Sequence, residues 1–101
     1  MLAELAAQVR AGQLAPVDLV REALERIARH NPVLNAAVML RADAAIVEAL
    51  QSPRRGVLAG IPVLVKDTMA VAGMRCTHGG HPLWADAPPD TRDDPAVARL
   101  K

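Results

Sequence analysis

The sequence has no phenylalanine, no tyrosine and a single tryptophan, Trp84. Large aromatic anchors supply much of the buried area in a small domain, so a core made from this chain rests on aliphatic residues. The hydrophobic fraction is 51%, but 20 of those residues are alanine, which leaves a folded state only marginal stability. The one cysteine, Cys76, excludes an intramolecular disulfide framework. No stretch reaches the apolar length of a transmembrane helix. The first residues carry Glu4 and Arg10 inside a helical pattern, not an uninterrupted apolar segment. No signal peptide is read there, and with no disulfides the expected compartment is the cytoplasm. Charge is nearly balanced, with 12 Lys and Arg against 11 Asp and Glu, net +1. That argues against nucleic-acid binding by bulk charge and against a polybasic membrane patch. At 101 residues the chain is at most one domain and short for an enzyme with a deep site.

Periodicity organises the first half. Leu2, Leu5, Ala6 and Val9 share one helical face, and Gly12 is a fitting stop. Pro16 suits a first helical position and opens the strongest helix, expected over about residues 16–30. Its apolar stripe is Val17, Val20, Leu24 and Ile27. Asp18 and Glu22 lie toward the positive end of the helix dipole, and Arg26 and Arg29 toward the negative end. Glu22–Arg26 and Glu25–Arg29 are spaced to pair. Asn31-Pro32 is the expected end of this helix. Residues 35–40 read as a short strand and residues 41–51 as a further helix. A polar turn at residues 52–56 leads to Val63-Leu64-Val65, an apolar run expected of a strand buried on both faces, with Pro62 at its start. Residues 73–95 are rich in Gly, Pro and Asp and read as a long loop. Asp94 as N-cap and Pro95 behind it begin another helix. The expected class is α/β: 1–55 mainly helical, 56–72 a strand carrying Lys66, 73–95 loop, 96–101 a helix start.

Two places carry chemistry. Lys66 ends the expected strand, where α/β proteins put functional groups. Burial there disfavours the charged form, and a neutral lysine is a general base for a serine nucleophile. The plainer alternative is a strand-terminal lysine that reaches solvent and pairs with Asp67. The second place is Cys76-Thr77-His78-Gly79-Gly80-His81. Its spacing matches no zinc pattern and no fourth ligand is apparent, so no metal is assigned. Cys76 as a nucleophile beside a histidine is a further alternative. The preferred reading is a turn-rich loop whose Gly79-Gly80 pair lets the backbone approach something closely. No glycine spacing forms a phosphate loop. Trp84 has no aromatic partner in sequence for a base-stacking platform.

The run Gly60-Ile61-Pro62-Val63-Leu64-Val65-Lys66-Asp67, followed by Val71-Ala72-Gly73-Met74-Arg75-Cys76-Thr77, resembles the N-terminal part of the amidase signature family. Leu24-Glu25-Arg26-Ile27, Asn31-Pro32-Val33-Leu34-Asn35-Ala36 and Asp94-Pro95-Ala96-Val97-Ala98-Arg99-Leu100 agree in the same order. The family includes amidases and the A-type subunits of tRNA-dependent amidotransferases. The resemblance implies a mixed-sheet α/β fold, present here only as its N-terminal helices and first strands. It also implies hydrolysis of a carboxamide through an acyl-enzyme, by a nucleophilic Ser, a second Ser and a Lys. That lysine corresponds to Lys66. Three positions depart from the family: Thr68 where Asn is usual, Cys76-Thr77 where two Thr are usual, and Gly80 where Ser is frequent. The Gly- and Ser-rich segment that carries both serines is absent, and the one serine is Ser52.

The chain is therefore expected to be an N-terminal fragment of an amidase-signature hydrolase, inert alone, with Lys66 its catalytic residue. It needs no cofactor and no metal. Its substrate in the complete enzyme is a small-molecule amide, and nucleic acid and membrane are not expected partners. The alternatives are a small helical interaction module docking through Val17, Val20, Leu24 and Ile27, and an accessory subunit that supplies Lys66 to a site completed by a second polypeptide.

Overall fold

The structure is a computed structural model describing residues 1–101. It divides into two compact units, Met1–Val63 and Leu64–Lys101. In the first unit, α1 (Leu2–Arg10) buries Ala6 and Val9 completely, two of the four residues on the expected face. Its end is a Schellman turn. Gly12 takes φ +76°, its N–H reaches Val9 O at 3.0 Å, and Gln13 N–H reaches Gln8 O at 2.9 Å.

Helix α2 (Pro16–Leu34) starts at Pro16, behind an extended Ala15 with no side-chain cap. Val20 is buried, and Val17, Leu24 and Ile27 are half-buried. The helix packs on α3 (Ala42–Gln51). Of the stripe named for the alternative interaction module, Val20 is the one buried residue and the other three keep part of their surface in solvent. Exposed pairs Arg26–Glu22 and Arg21–Asp18 lie along α2, each contributing about 0.3–0.5 kcal/mol. At the start of α3, Arg41 forks onto Glu48 with N···O distances of 2.9 and 2.6 Å.

The helix does not stop at Asn31-Pro32 as expected but continues through Pro32 to Leu34. The reason is the Asn31 side chain. Its Oδ1 accepts from Ala36 N–H at 2.9 Å and Ala37 N–H at 2.8 Å, and its Nδ2 donates to Ala37 O at 2.8 Å. Asn35 closes the helix in the left-handed region (φ 48°, ψ 39°). The residues beyond the helix are thereby satisfied by Asn31, while Pro32 gives up one i→i−4 bond inside the helix.

Residues 35–40 and 63–65 do not form strands, and no strand occurs in the chain. A strand is defined by ladder hydrogen bonds. Residues 36 and 37 give their amides to the Asn31 side chain, and the apolar run at 63–65 has no ladder partner. The burial expected on both faces is accordingly missing: Val63 is 49% exposed and Leu64 66%. Of the expected α/β class, the structure contains the helices alone.

Gly60 lies close against Val9 of α1 and Pro16 of α2. A Cβ at this position would lie 2.9 Å from Val9 Cγ1 and 2.8 Å from Pro16 Cγ. The turn before it is tied to α1 by Arg10, whose guanidinium donates to Gly56 O at 3.1 Å and Val57 O at 3.3 Å.

The second unit is mostly turns, with a 3-10 turn at Pro82–Trp84 and a short helix α4 (Pro95–Leu100). Asp94 caps α4 by accepting from Ala96 N–H at 3.0 Å, and Val97 is buried. Backbone bonds tie residues 70–74 to 90–94: Gly73 N–H to Asp90 O at 2.8 Å, Asp90 N–H to Met74 O at 2.9 Å and Asp94 N–H to Ala70 O at 2.9 Å. Asp93 Oδ1 adds Ala72 N–H at 2.8 Å and Lys101 Nζ at 2.9 Å. No helix is long and apolar enough to cross a membrane.

Candidate functional site

Lys66 opens a tight turn. Its carbonyl accepts from Thr68 N–H at 2.8 Å and Met69 N–H at 3.0 Å. Its side chain is exposed, a correction to the desolvated strand end expected from the apolar run. Burial there requires a sheet that residues 63–65 do not find within this chain.

Asp67 is held by a second loop. Its Oδ1 accepts Thr77 N–H at 2.7 Å, and its Oδ2 accepts the Thr77 hydroxyl and, at 3.3 Å, Gly79 N–H. The Asp67 carbonyl also accepts Gly79 N–H at 3.1 Å. Three successive left-handed residues make this possible: His78 at φ 51°, Gly79 at 79° and Gly80 at 80°. Such a run turns amide N–H groups inward toward an anion. It is closed by His81 N–H to Thr77 O and Gly80 N–H to Thr77 Oγ1, both 2.9 Å. The Thr77 hydroxyl, then the Thr77 amide, hold the Asp67 carboxyl below its ordinary value; partial burial opposes them, and the Gly79 amide and His78 add to the lowering. Asp67 is therefore bonded to Thr77 and Gly79 and no ion pair joins it to Lys66; of the plainer alternative, the lysine that reaches solvent is present and its pairing with Asp67 is not.

The cysteine–histidine cluster is dispersed by local bonding. His81 Nδ1 accepts Leu83 N–H at 3.2 Å and caps the 3-10 turn. The His78 ring lies 5.1 Å from Trp84, inclined by 55°, so Trp84 has an aromatic neighbour that the sequence did not suggest. Cys76 is half-buried and lines a half-open cleft of about 320 Å³ with His78, Trp84, Pro88 and Asp90. No hydrogen bond joins its thiol to either imidazole. No three His, Cys, Asp or Glu side chains gather in a metal-binding arrangement. Arg75, next to Cys76, donates to Ala85 O at 2.6 Å.

The clamp residues Thr77 and Gly79 were not picked out by sequence reasoning as partners of Asp67. The one signal for them was Gly79-Gly80, which marks positive φ but not which acceptor the turned amides meet.

A family model described as "Amidase" matches residues 18–101. Among curated proteins, the chain is 34% identical over 95 residues to the A-type subunit of the mitochondrial glutamyl-tRNA(Gln) amidotransferase of Ornithorhynchus anatinus, covering 87% of this chain and 18% of the relative. It is 36% identical over 99 residues to the A-type subunit of the glutamyl-tRNA(Gln) amidotransferase of Thermus thermophilus, covering 97% and 20%. With the corresponding protein of Geobacter sp. strain M21 it shares 33% over 104 residues, covering 97% and 21%. The chain spans about a fifth of the length of these relatives.

Proposed function

The chain belongs to the amidase family, and on that premise we propose that it forms the N-terminal part of a cytoplasmic enzyme that cleaves a carboxamide C–N bond with Lys66 as general base. The observation that carries this reading is the Gly60-to-Asp67 run, which lies inside the matched residues 18–101 and ends with Asp67 bonded to Thr77 and Gly79. That bonding leaves the Lys66 amine without an ion-pair partner. In this reading the α/β sheet and both serines are supplied by the remainder of the enzyme. Ser52, the one serine here, lies outside the Gly60-to-Asp67 run, its Oγ accepting Arg54 N–H at 3.3 Å.

In the proposed reaction the Lys66 amine takes a proton from the bridging serine as that serine takes one from the nucleophilic serine. The nucleophilic oxygen bonds to the amide carbon. Collapse of the tetrahedral adduct breaks the C–N bond, and the proton returns to the leaving ammonia or amine. Water then hydrolyses the acyl-serine ester and releases the acid. The relatives are named as components of glutamyl-tRNA(Gln) amidotransferases; for this chain the proposal stays with a small-molecule carboxamide.

The test uses this segment joined to the serine-bearing part of such an enzyme. Lys66→Ala lowers the acylation rate by about 10²–10⁴-fold. Lys66→Arg is nearly as damaging, because guanidinium stays protonated and cannot accept the proton. Near-full activity of Lys66→Arg shows a fixed positive charge at work and overturns the base assignment. The 101-residue chain alone releases no ammonia from simple amides. Turnover that Lys66→Ala abolishes and Ser52→Ala spares points to a different nucleophile.

A further inference from the structure

We infer that Asp67 and Thr77 form a positioning lock that sets the direction in which the Lys66 side chain leaves the backbone; the catalytic consequence rests on the reading of Lys66 as the base. The peptide group between Lys66 and Asp67 is held from two sides. On one side the Lys66 carbonyl accepts from the Thr68 and Met69 amides. On the other, the Asp67 carboxylate is fixed through both oxygens by Thr77 N–H, Thr77 hydroxyl and Gly79 N–H. A carboxylate that accepts at both oxygens from a rigid loop has one orientation, and its backbone follows. Since the favoured rotamers of a side chain depend on its backbone angles, the Lys66 stem inherits that constraint.

Thr77 is the keystone of the loop side. Its amide and hydroxyl donate to Asp67, while its hydroxyl oxygen accepts Gly80 N–H at 2.9 Å. His78 is kept at φ 51° although it carries a side chain. That unfavourable conformation brings Gly79 N–H to bear on Asp67, and backbone strain of this kind is found where geometry serves a site. Asp67 and Thr77 are positioning residues in this account; neither touches the substrate.

Two measurements test the lock separately from the base assignment. The first is amide hydrogen exchange in the 101-residue chain. Thr77→Val removes one hydroxyl and keeps both backbone donors to Asp67. Loss of a hydrogen bond to a charged group raises exchange about tenfold at Gly79 and, if the lock reaches Lys66, also at Met69. Thr77→Ser restores both. Faster exchange at Gly79 with Met69 unchanged overturns the lock, whatever Lys66 does. The second measurement is steady-state kinetics in the serine-bearing enzyme. There Thr77→Val and Asp67→Asn lower kcat about 100-fold through misplacement of the base, with KM unchanged and with recovery in Thr77→Ser. Unchanged kcat in these variants, in an enzyme that Lys66→Ala inactivates, overturns the lock and leaves the base assignment standing. Full activity of Lys66→Ala overturns the base assignment, and the exchange result alone then judges the lock. Should Asp67→Asn fail to fold, Thr77→Val decides.

Discussion

Replacing Gly60 with alanine is expected to be the most damaging single-methyl change in the first unit, for two reasons that add. Gly60 holds φ +78°, a conformation that costs an L-residue about 1–2 kcal/mol. The new Cβ would also lie 2.8 Å from Pro16 Cγ, 2.9 Å from Val9 Cγ1 and 3.1 Å from Pro16 Cβ. Neither neighbour can swing away. Val9 is fully buried on α1, and Pro16 is a ring locked at the first position of α2. Overpacking of this kind costs about 1–3 kcal/mol, giving a total of about 2–5 kcal/mol. Gly12→Ala supplies the control. Its φ is nearly the same, +76°, but the nearest atom to its Cβ is Arg54 Nη1 at 3.8 Å, an ordinary contact with a flexible side chain. Only the backbone cost of about 1–2 kcal/mol applies there. Urea unfolding followed by far-ultraviolet circular dichroism measures both. The Gly60 variant should lose more of its midpoint than the Gly12 variant at an unchanged m value. In thermal melts each kcal/mol corresponds to about 4–8 °C for a chain of this size. Equal losses in the two variants would refute the close packing of Gly60 against Val9 and Pro16.

Asn31→Ala removes the three bonds that hold residues 36 and 37 and should cost about 1–3 kcal/mol, read as lower stability and faster amide exchange at Ala36 and Ala37. Asn31→Asp keeps both acceptances but not the donation to Ala37 O, and should fall between the two. The Asp67 carboxyl is held below its ordinary value of 3.8, so its contribution to stability is complete above that value and lost as pH falls through the lowered one. Its carboxyl carbon, followed by nuclear magnetic resonance, should titrate at lower pH in the parent chain than in Thr77→Val; identical titration would show that the Thr77 hydroxyl does not hold the anion.

The sequence alone determined the features that depend on neighbours within a turn or two. Pro16 starts α2 because a missing N–H costs nothing at a first helical position, and Gly12 ends α1 because it alone enters the left-handed region without penalty. Asp94 caps α4 by a bond to an amide two residues away. The family is legible for a related reason, since the Gly60-to-Asp67 run is contiguous. What the tertiary structure decided involves groups that sequence order separates. Residues 63–65 have the composition of a buried strand, but composition says nothing about a ladder partner, and without one the run stays exposed and Lys66 with it. Asn31-Pro32 reads as a helix stop until the Asn31 side chain is seen bonding to residues 36 and 37. Asp67 looks like a natural ion-pair partner for its neighbour Lys66. The left-handed turn at residues 78–80 instead brings Thr77 and Gly79 to it from ten and twelve residues away, and three fixed donors hold a carboxylate better than one mobile ammonium in water.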